Sequence, residues 1–191
     1  MDNTGSSQSR DIDYVKKKFE KALELHETGN FDEAASAYQN LLQINPLNSL
    51  LLNSYGTLLY QQGNPLDGPY IIKKSIILNS NTSIFYNRLG VIKRTQGDLD
   101  GARMMFTRAL FIEEQYEANL NLCETYLEQR HPEAALAPGR RALALAPNAF
   151  LPHLRLATAL RLVGKFNEAL AEVEEAKSLN PLSPDPYIEL T

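Results

Sequence analysis

The sequence lacks several features that define whole classes of protein. It has one cysteine among its 191 residues, so no internal disulfide can form. No apolar run approaches the roughly 18 residues that would cross a bilayer, and the first ten residues lack the apolar core of a signal peptide. The formal net charge of −4 argues against a general nucleic-acid binder. We therefore expect a cytoplasmic protein with no membrane span and no nucleic-acid partner.

The sequence does contain an internal repeat. The stretch GNFDEAASAYQNLLQINPLN at 29–48 returns as GKFNEALAEVEEAKSLNPLS at 164–183. The two copies are one residue closer than four periods of 34 residues, and a single deletion near Gln115 accounts for the difference. With that deletion the chain divides into five repeats: 15–48, 49–82, 83–115, 116–149 and 150–183.

Equivalent positions of the repeats carry similar side chains. Small residues fill two of these columns, which read Ala22, Gly56, Gly90, Cys123, Ala157 and Ala34, Gly68, Ala102, Ala135, Ala169. Within each repeat the apolar residues recur at helical spacing on both sides of a central turn, which is a glycine in four of the five repeats. Small residues allow two helices to approach closely. Each repeat is therefore predicted to be an antiparallel helical hairpin.

This pattern resembles the tetratricopeptide repeat over residues 15–183. The resemblance implies an all-α, right-handed superhelical solenoid of about five hairpins, in which the first helix of each pair lines a concave groove. The related helical repeats of 35 residues that read nucleic acid are the alternative array, but the period and the small columns favour the tetratricopeptide repeat. We expect a disordered tail at 1–12, a single array at 13–183, and the start of a truncated sixth helix or a short cap at 184–191.

Two second helices depart from the pattern. The second helix of repeat 4 contains Pro138 and Gly139 well inside it, and an interior proline costs about 3 kcal/mol or more. We expect that helix to be bent or interrupted there. The second helix of repeat 2 has prolines near its beginning, so it should start late, near Asp67–Pro69.

Candidate catalytic groups are scarce. His26, His131 and His153 occupy unrelated positions of the repeat, which does not indicate a metal site. Cys123 stands in a small-residue column, where packing is the ordinary role. The sequence therefore predicts a protein that is not an enzyme and has no cofactor.

The resemblance places ligand contacts on the first helix of each pair. From that face we predict a peptide-binding groove across repeats 2 to 5, made of Asn53, Thr57, Tyr60, Asn87, Arg88, Val91, Arg94, Asn121, Leu151, Leu154, Arg155, Thr158 and Arg161. The asparagines could hold a peptide backbone, and the arginines suit carboxylates. An alternative for the arginines is pairing with Glu117, Glu124 and Glu128 of repeat 4.

The predicted function is a non-catalytic scaffold that binds another protein or peptide, with acidic and apolar side chains, in the concave groove. Two alternatives stay open at this point. The chain could be the substrate-recruiting segment of a larger transferase, such as a glycosyltransferase. It could also be a self-assembling array that forms a homo-oligomer through its C-terminal end.

Overall fold

The computed structural model describes the backbone of residues 4–180 and the side chains of residues 14–180. This part of the chain contains ten α-helices and no strand. The helices are α1 (Thr4–Glu27), α2 (Phe31–Ile44), α3 (Ser49–Gln61), α4 (Asp67–Leu78), α5 (Ser83–Thr95), α6 (Leu99–Ile112), α7 (Tyr116–Glu128), α8 (Pro132–Leu145), α9 (Phe150–Leu162) and α10 (Phe166–Leu179). Consecutive helices pair as five hairpins, which confirms the predicted all-α array.

The one-residue deletion lies in the connection between α6 and α7. That connection has three residues, whereas the equivalent connections before α3, α5 and α9 have four. A turn residue in the left-handed region follows each first helix: Gly29, Gly63, Gly97, Arg130 and Gly164. Arg130 takes this conformation with φ 61°, although only glycine adopts it without steric cost.

Close helix packing explains the small columns. A Cβ atom added to Gly90 would lie 2.6 Å from the ring of Phe106, which is fully buried in α6. A Cβ atom on Gly56 would lie 2.8 Å from the backbone oxygen of Gly68 in the neighbouring α4. Larger side chains at these positions would push the two helices of a hairpin apart.

The structure corrects the prediction for α8. The helix is continuous from Pro132 to Leu145, so the predicted interruption at Pro138 is wrong, while the predicted bend there stays a prediction. Pro138 and Gly139 are buried, and α8 packs against both α7 and α9. Gly139 lies so close to these helices that a Cβ atom there would be 3.1 Å from the Cys123 Sγ atom. This packing on two sides keeps the helix continuous despite the hydrogen bond that Pro138 cannot donate.

The two remaining predictions about helix boundaries had different outcomes. The late start of α4 is confirmed, since that helix begins at Asp67. Helix α1 begins at Thr4, within the stretch predicted to be a disordered tail at 1–12. Extending an existing helix by further turns costs much less than nucleating one, which allows the polar segment to continue it. The predicted sixth helix or cap at 184–191 lies outside the described residues.

The chain divides into two compact units between Asn81 and Thr82. Unit 1 contains α1–α4, and unit 2 contains α5–α10. In unit 1, Tyr38 is fully buried and packs with Phe19 and Tyr55. In unit 2, the core runs from Phe106 through Cys123 to Leu156.

Candidate functional site

The first helices of unit 2 form a layer of their own. The backbones of α5 and α7 are in contact, as are those of α7 and α9. In the described part of unit 2 the backbones of the second helices do not contact one another, although long side chains such as Arg140 and Glu168 bridge α8 and α10. The closer spacing of α5, α7 and α9 places them on the inner side of the stack. We call their exposed surface the inner face of unit 2.

Glu124 lies near the centre of this inner face. Its carboxylate accepts hydrogen bonds from Arg94 of α5 and, at 3.0 Å, from Arg155 Nε of α9. Arg94 also lies 3.8 Å from the carboxylate of Glu128, one turn further along α7. One glutamate of repeat 4 therefore ties together arginines of repeats 3 and 5, as the alternative interpretation of the sequence proposed.

The electrostatics of Glu124 follow from this arrangement. Burial works against ionisation, but the hydrogen bonds and charges of Arg94 and Arg155 outweigh it, so the pKa of Glu124 lies below its ordinary value. Because these side chains are largely covered, with exposures of 17%, 18% and 28% for Arg94, Glu124 and Arg155, solvent screens the pairs only partly.

An open depression of about 340 Å³ lies beside this network. Its lining combines charged, hydroxyl and apolar side chains from two neighbouring first helices: Glu124, Leu127, Glu128, Arg155 and Thr158. The Thr158 hydroxyl donates to the Leu154 backbone oxygen of its own helix at 2.9 Å. The depression has the mixed lining that protein-binding surfaces commonly show.

Two residues of the predicted groove are buried, and the structure corrects their assignment. Asn53 has no exposed surface, and its amide donates to the Ser75 hydroxyl at 3.4 Å. Leu154 is also buried. Both occupy the same position of the repeat, which faces the core, so neither presents its side chain to a ligand. Asn87 occupies the equivalent position in α5, where it is only half-buried.

The predicted asparagine ladder is a single pair. Asn121 donates from Nδ2 to Asn87 Oδ1 at 3.1 Å. The deletion before α7 moves Asn121 one position round its helix, which brings its amide towards α5. These two amides satisfy part of each other's hydrogen-bonding capacity.

The remaining predicted residues lie on first helices of both units. In unit 1, Thr57 donates to the Asn53 backbone oxygen at 2.9 Å, and Tyr60 is half-buried beside Gly68. In unit 2, Arg88 and Val91 of α5 are half-buried, with Val91 packed near Phe106.

Arg161 of α9 differs from Arg94 and Arg155 because no glutamate of the described residues pairs with it, and the sequence alone did not show this difference. Its Nε atom is buried and has no hydrogen-bond partner among the described residues. On the same helix, Leu151 and Leu162 are 44% and 48% exposed. The position of Arg161 in the repeat predicted that it faces the groove, but only side-chain coordinates show which arginines glutamates already engage.

Two of the reactive side chains, Cys123 and His153, are buried. Burial, with a smaller contribution from Glu124, raises the pKa of the Cys123 thiol to about 12. The ring nitrogens of the buried His153 lie 2.7 Å from a Glu172 oxygen and 2.9 Å from the Pro147 backbone oxygen. Among the side chains of residues 14–180, no cluster of histidine, cysteine and acidic residues could hold a metal ion. No helix within residues 4–180 is long and apolar enough to cross a membrane.

A family model of the tetratricopeptide repeat matches residues 19–68 and 87–150 of the chain. No curated protein matches this chain.

Several solved structures share the fold. YrrB, described as a TPR protein with an unusual peptide-binding site, is 20% identical with a TM-score of 0.73, covering 82% of this chain and 81% of that one. The pilF protein of Pseudomonas aeruginosa is 15% identical with a TM-score of 0.85, covering 93% and 82%. A thermophilic TPR protein of Thermus thermophilus is 19% identical with a TM-score of 0.71, covering 92% and 96%. At these identities the likeness shows the fold alone.

Proposed function

Because the chain belongs to the tetratricopeptide repeat family, we propose that it is a non-catalytic scaffold that binds a segment of another protein on the inner face of unit 2. The observation that carries this proposal is the open depression of about 340 Å³ between α7 and α9. It offers a hydroxyl, an apolar side chain and both signs of charge in one place, which suits an extended or helical peptide.

The ion pairs decide which arginine meets an acidic partner. Arg94 and Arg155 already pair with Glu124, so a partner carboxylate would have to compete with that glutamate for them. Arg161 has no such competitor among the described residues, and its Nε atom is buried without a hydrogen-bond acceptor there. The Arg161 side chain as a whole is half-buried, so a partner carboxylate would make its charge-assisted contact with the exposed part of that side chain. We therefore assign the anionic contact to Arg161.

Apolar contacts complete the proposed site. Leu151 and Leu162 lie on α9 with about half of their surfaces exposed, near the two ends of the helix. They would take apolar side chains of the partner near the two ends of α9, with Leu162 next to the Arg161 contact. The preferred partner segment is thus acidic and apolar, and its neutral backbone groups would meet Asn87 and Asn121.

A random dodecapeptide library displayed on phage, selected against the intact chain, tests this function. We expect the selected peptides to combine Asp or Glu with large apolar residues. Their affinity should fall about tenfold in Arg161→Gln, the loss typical of one charge-assisted contact. The matched control is Arg103→Gln on the second helix α6, where Arg103 pairs only loosely with Asp100 at 3.5 Å. Equal affinities in wild type and Arg161→Gln, or a loss confined to Arg103→Gln, would overturn the proposal.

A further inference from the structure

The last described helix exposes an apolar face. Phe166 and Leu170 of α10 are 67% and 50% exposed. Leu170 occupies the position that Leu136 holds in α8, where Leu136 packs against Leu156 and Leu160 of the following first helix. The exposed face of α10 is therefore the face on which the array elsewhere seats a first helix.

The first helix of the array has a basic surface at the complementary positions. Lys18 and Lys21 of α1 are exposed, whereas the equivalent residues of α3 are not: Leu52 is buried, and Tyr55 is half-buried beside Tyr38 of α2. Lys21 forms an ion pair with Glu24 on its own helix, at 3.0 Å. Such an exposed pair contributes little, so Lys21 can exchange its partner at small cost.

The junction between α2 and α3 shows how a second helix meets the next first helix. The Tyr55 hydroxyl accepts a hydrogen bond from Gln39 Nε2 at 2.7 Å, and the Tyr55 ring lies 6.3 Å from that of Tyr38. The residue equivalent to Gln39 in α10 is Glu174, and the residue equivalent to Tyr55 in α1 is Lys21. The same junction made between two copies would bring a carboxylate to an ammonium group.

We propose that α10 of one copy packs against α1 of a second copy in the register of the α2–α3 junction. In that contact Glu174 faces Lys21, and Leu170 lies against Leu25 and the methylene stem of Lys21, which are equivalent to Leu160 and Leu156 of α9. The exposed charges of the two helices are opposite in net sign. On α10 they are Glu168, Glu174, Glu175 and Lys177, with a net charge of −2, and on α1 they are Lys16, Lys17, Lys18, Lys21, Glu20, Glu24 and Glu27, with a net charge of +1. This surface is separate from the inner face of unit 2 and does not rest on the function proposed for it.

The contact joins two different surfaces, so it is heterologous and can extend beyond a dimer. Association between copies should increase with protein concentration by mass action. It should weaken with salt, because opposite charges attract across the contact. An occupant of another kind, such as a helix of a different protein, would leave this chain monomeric.

Variants of the intact chain that reverse one charge of the junction test the contact. Their association is measured by sedimentation velocity at low salt. Lys21→Glu places like charges at the junction, as does Glu174→Lys, so each variant alone should associate about tenfold more weakly than wild type. A one-to-one mixture of the two variants offers opposite charges at the junction between unlike copies, so it should recover association.

The control is Lys73→Glu, which makes the same charge change at an exposed position of α4 and should match wild type. Circular dichroism melts establish that each variant is folded. A wild-type chain that stays monomeric at every concentration overturns the proposal. So does a mixture that associates no better than its separate components.

Discussion

Removing the Glu124 carboxylate should destabilise unit 2 while leaving its fold intact. Glu124→Gln keeps the shape of the side chain but removes the charge to which Arg94 and Arg155 donate. A charge-assisted hydrogen bond contributes roughly 1.5–3 kcal/mol, and breaking a fully buried ion pair costs about 3–5 kcal/mol. These three side chains keep some exposure, so we expect a loss of about 2–3 kcal/mol.

The assay is urea unfolding followed by circular dichroism, with Glu117→Gln as the control. Glu117 lies on the same helix but is exposed, so its variant should stay within about 0.5 kcal/mol of wild type. A thermal scan should show a fall of roughly 5–10 °C in the melting temperature of Glu124→Gln. A Glu124→Gln variant as stable as the control would refute the argument that this network stabilises the inner face.

The pH dependence gives a second test of the same network. Because the folded-state pKa of Glu124 lies below its ordinary value of 4.5, its ionised form stabilises the fold above that value. The stability difference between wild type and Glu124→Gln should be constant near neutral pH and shrink as the pH falls through the lowered pKa. A difference that grows on acidification would contradict the assigned direction.

Two further substitutions and one chemical labelling reaction test the packing of the array. Arg130→Gly should raise the free energy of unfolding by about 0.5–1 kcal/mol in urea titrations, because glycine adopts the left-handed turn without steric cost. Gly90→Ala should lower it by about 1–3 kcal/mol, since the added methyl group would overlap the ring of Phe106. Cys123 should react with a thiol reagent at neutral pH only after unfolding, because it is buried and its pKa is raised to about 12; rapid reaction of the folded chain would contradict this.

The repeat period predicted most of the fold because each column has a direct packing cause. Gly90 and Gly56 appear in a small column since the neighbouring helix leaves no room for a Cβ atom. The deletion near Gln115 was visible because one missing residue shifts every later column. The interruption at Pro138 was wrong because helix rules count local hydrogen bonds, whereas α7 and α9 hold α8 from both sides.

The candidate site was less predictable from sequence than the fold. The regular spacing of Asn53 suggested a ligand contact, but its column faces the core, where Asn53 reaches Ser75 instead. Counting charges could not decide whether Arg94 and Arg155 face a partner or a glutamate of the same chain. That choice depends on side-chain distances between neighbouring helices, which the order of residues along the chain does not contain.

The most direct test of the central claim is hydroxyl-radical footprinting of the intact chain with and without a peptide from the phage selection. Leu151 and Leu162 are exposed on α9, and Met104 and Phe111 are exposed on the second helix α6, so all four should be labelled in the free chain. Binding on the inner face of unit 2 predicts that the peptide protects the two leucines and leaves Met104 and Phe111 unchanged. Protection of Met104 and Phe111 with unchanged labelling of the leucines would contradict it.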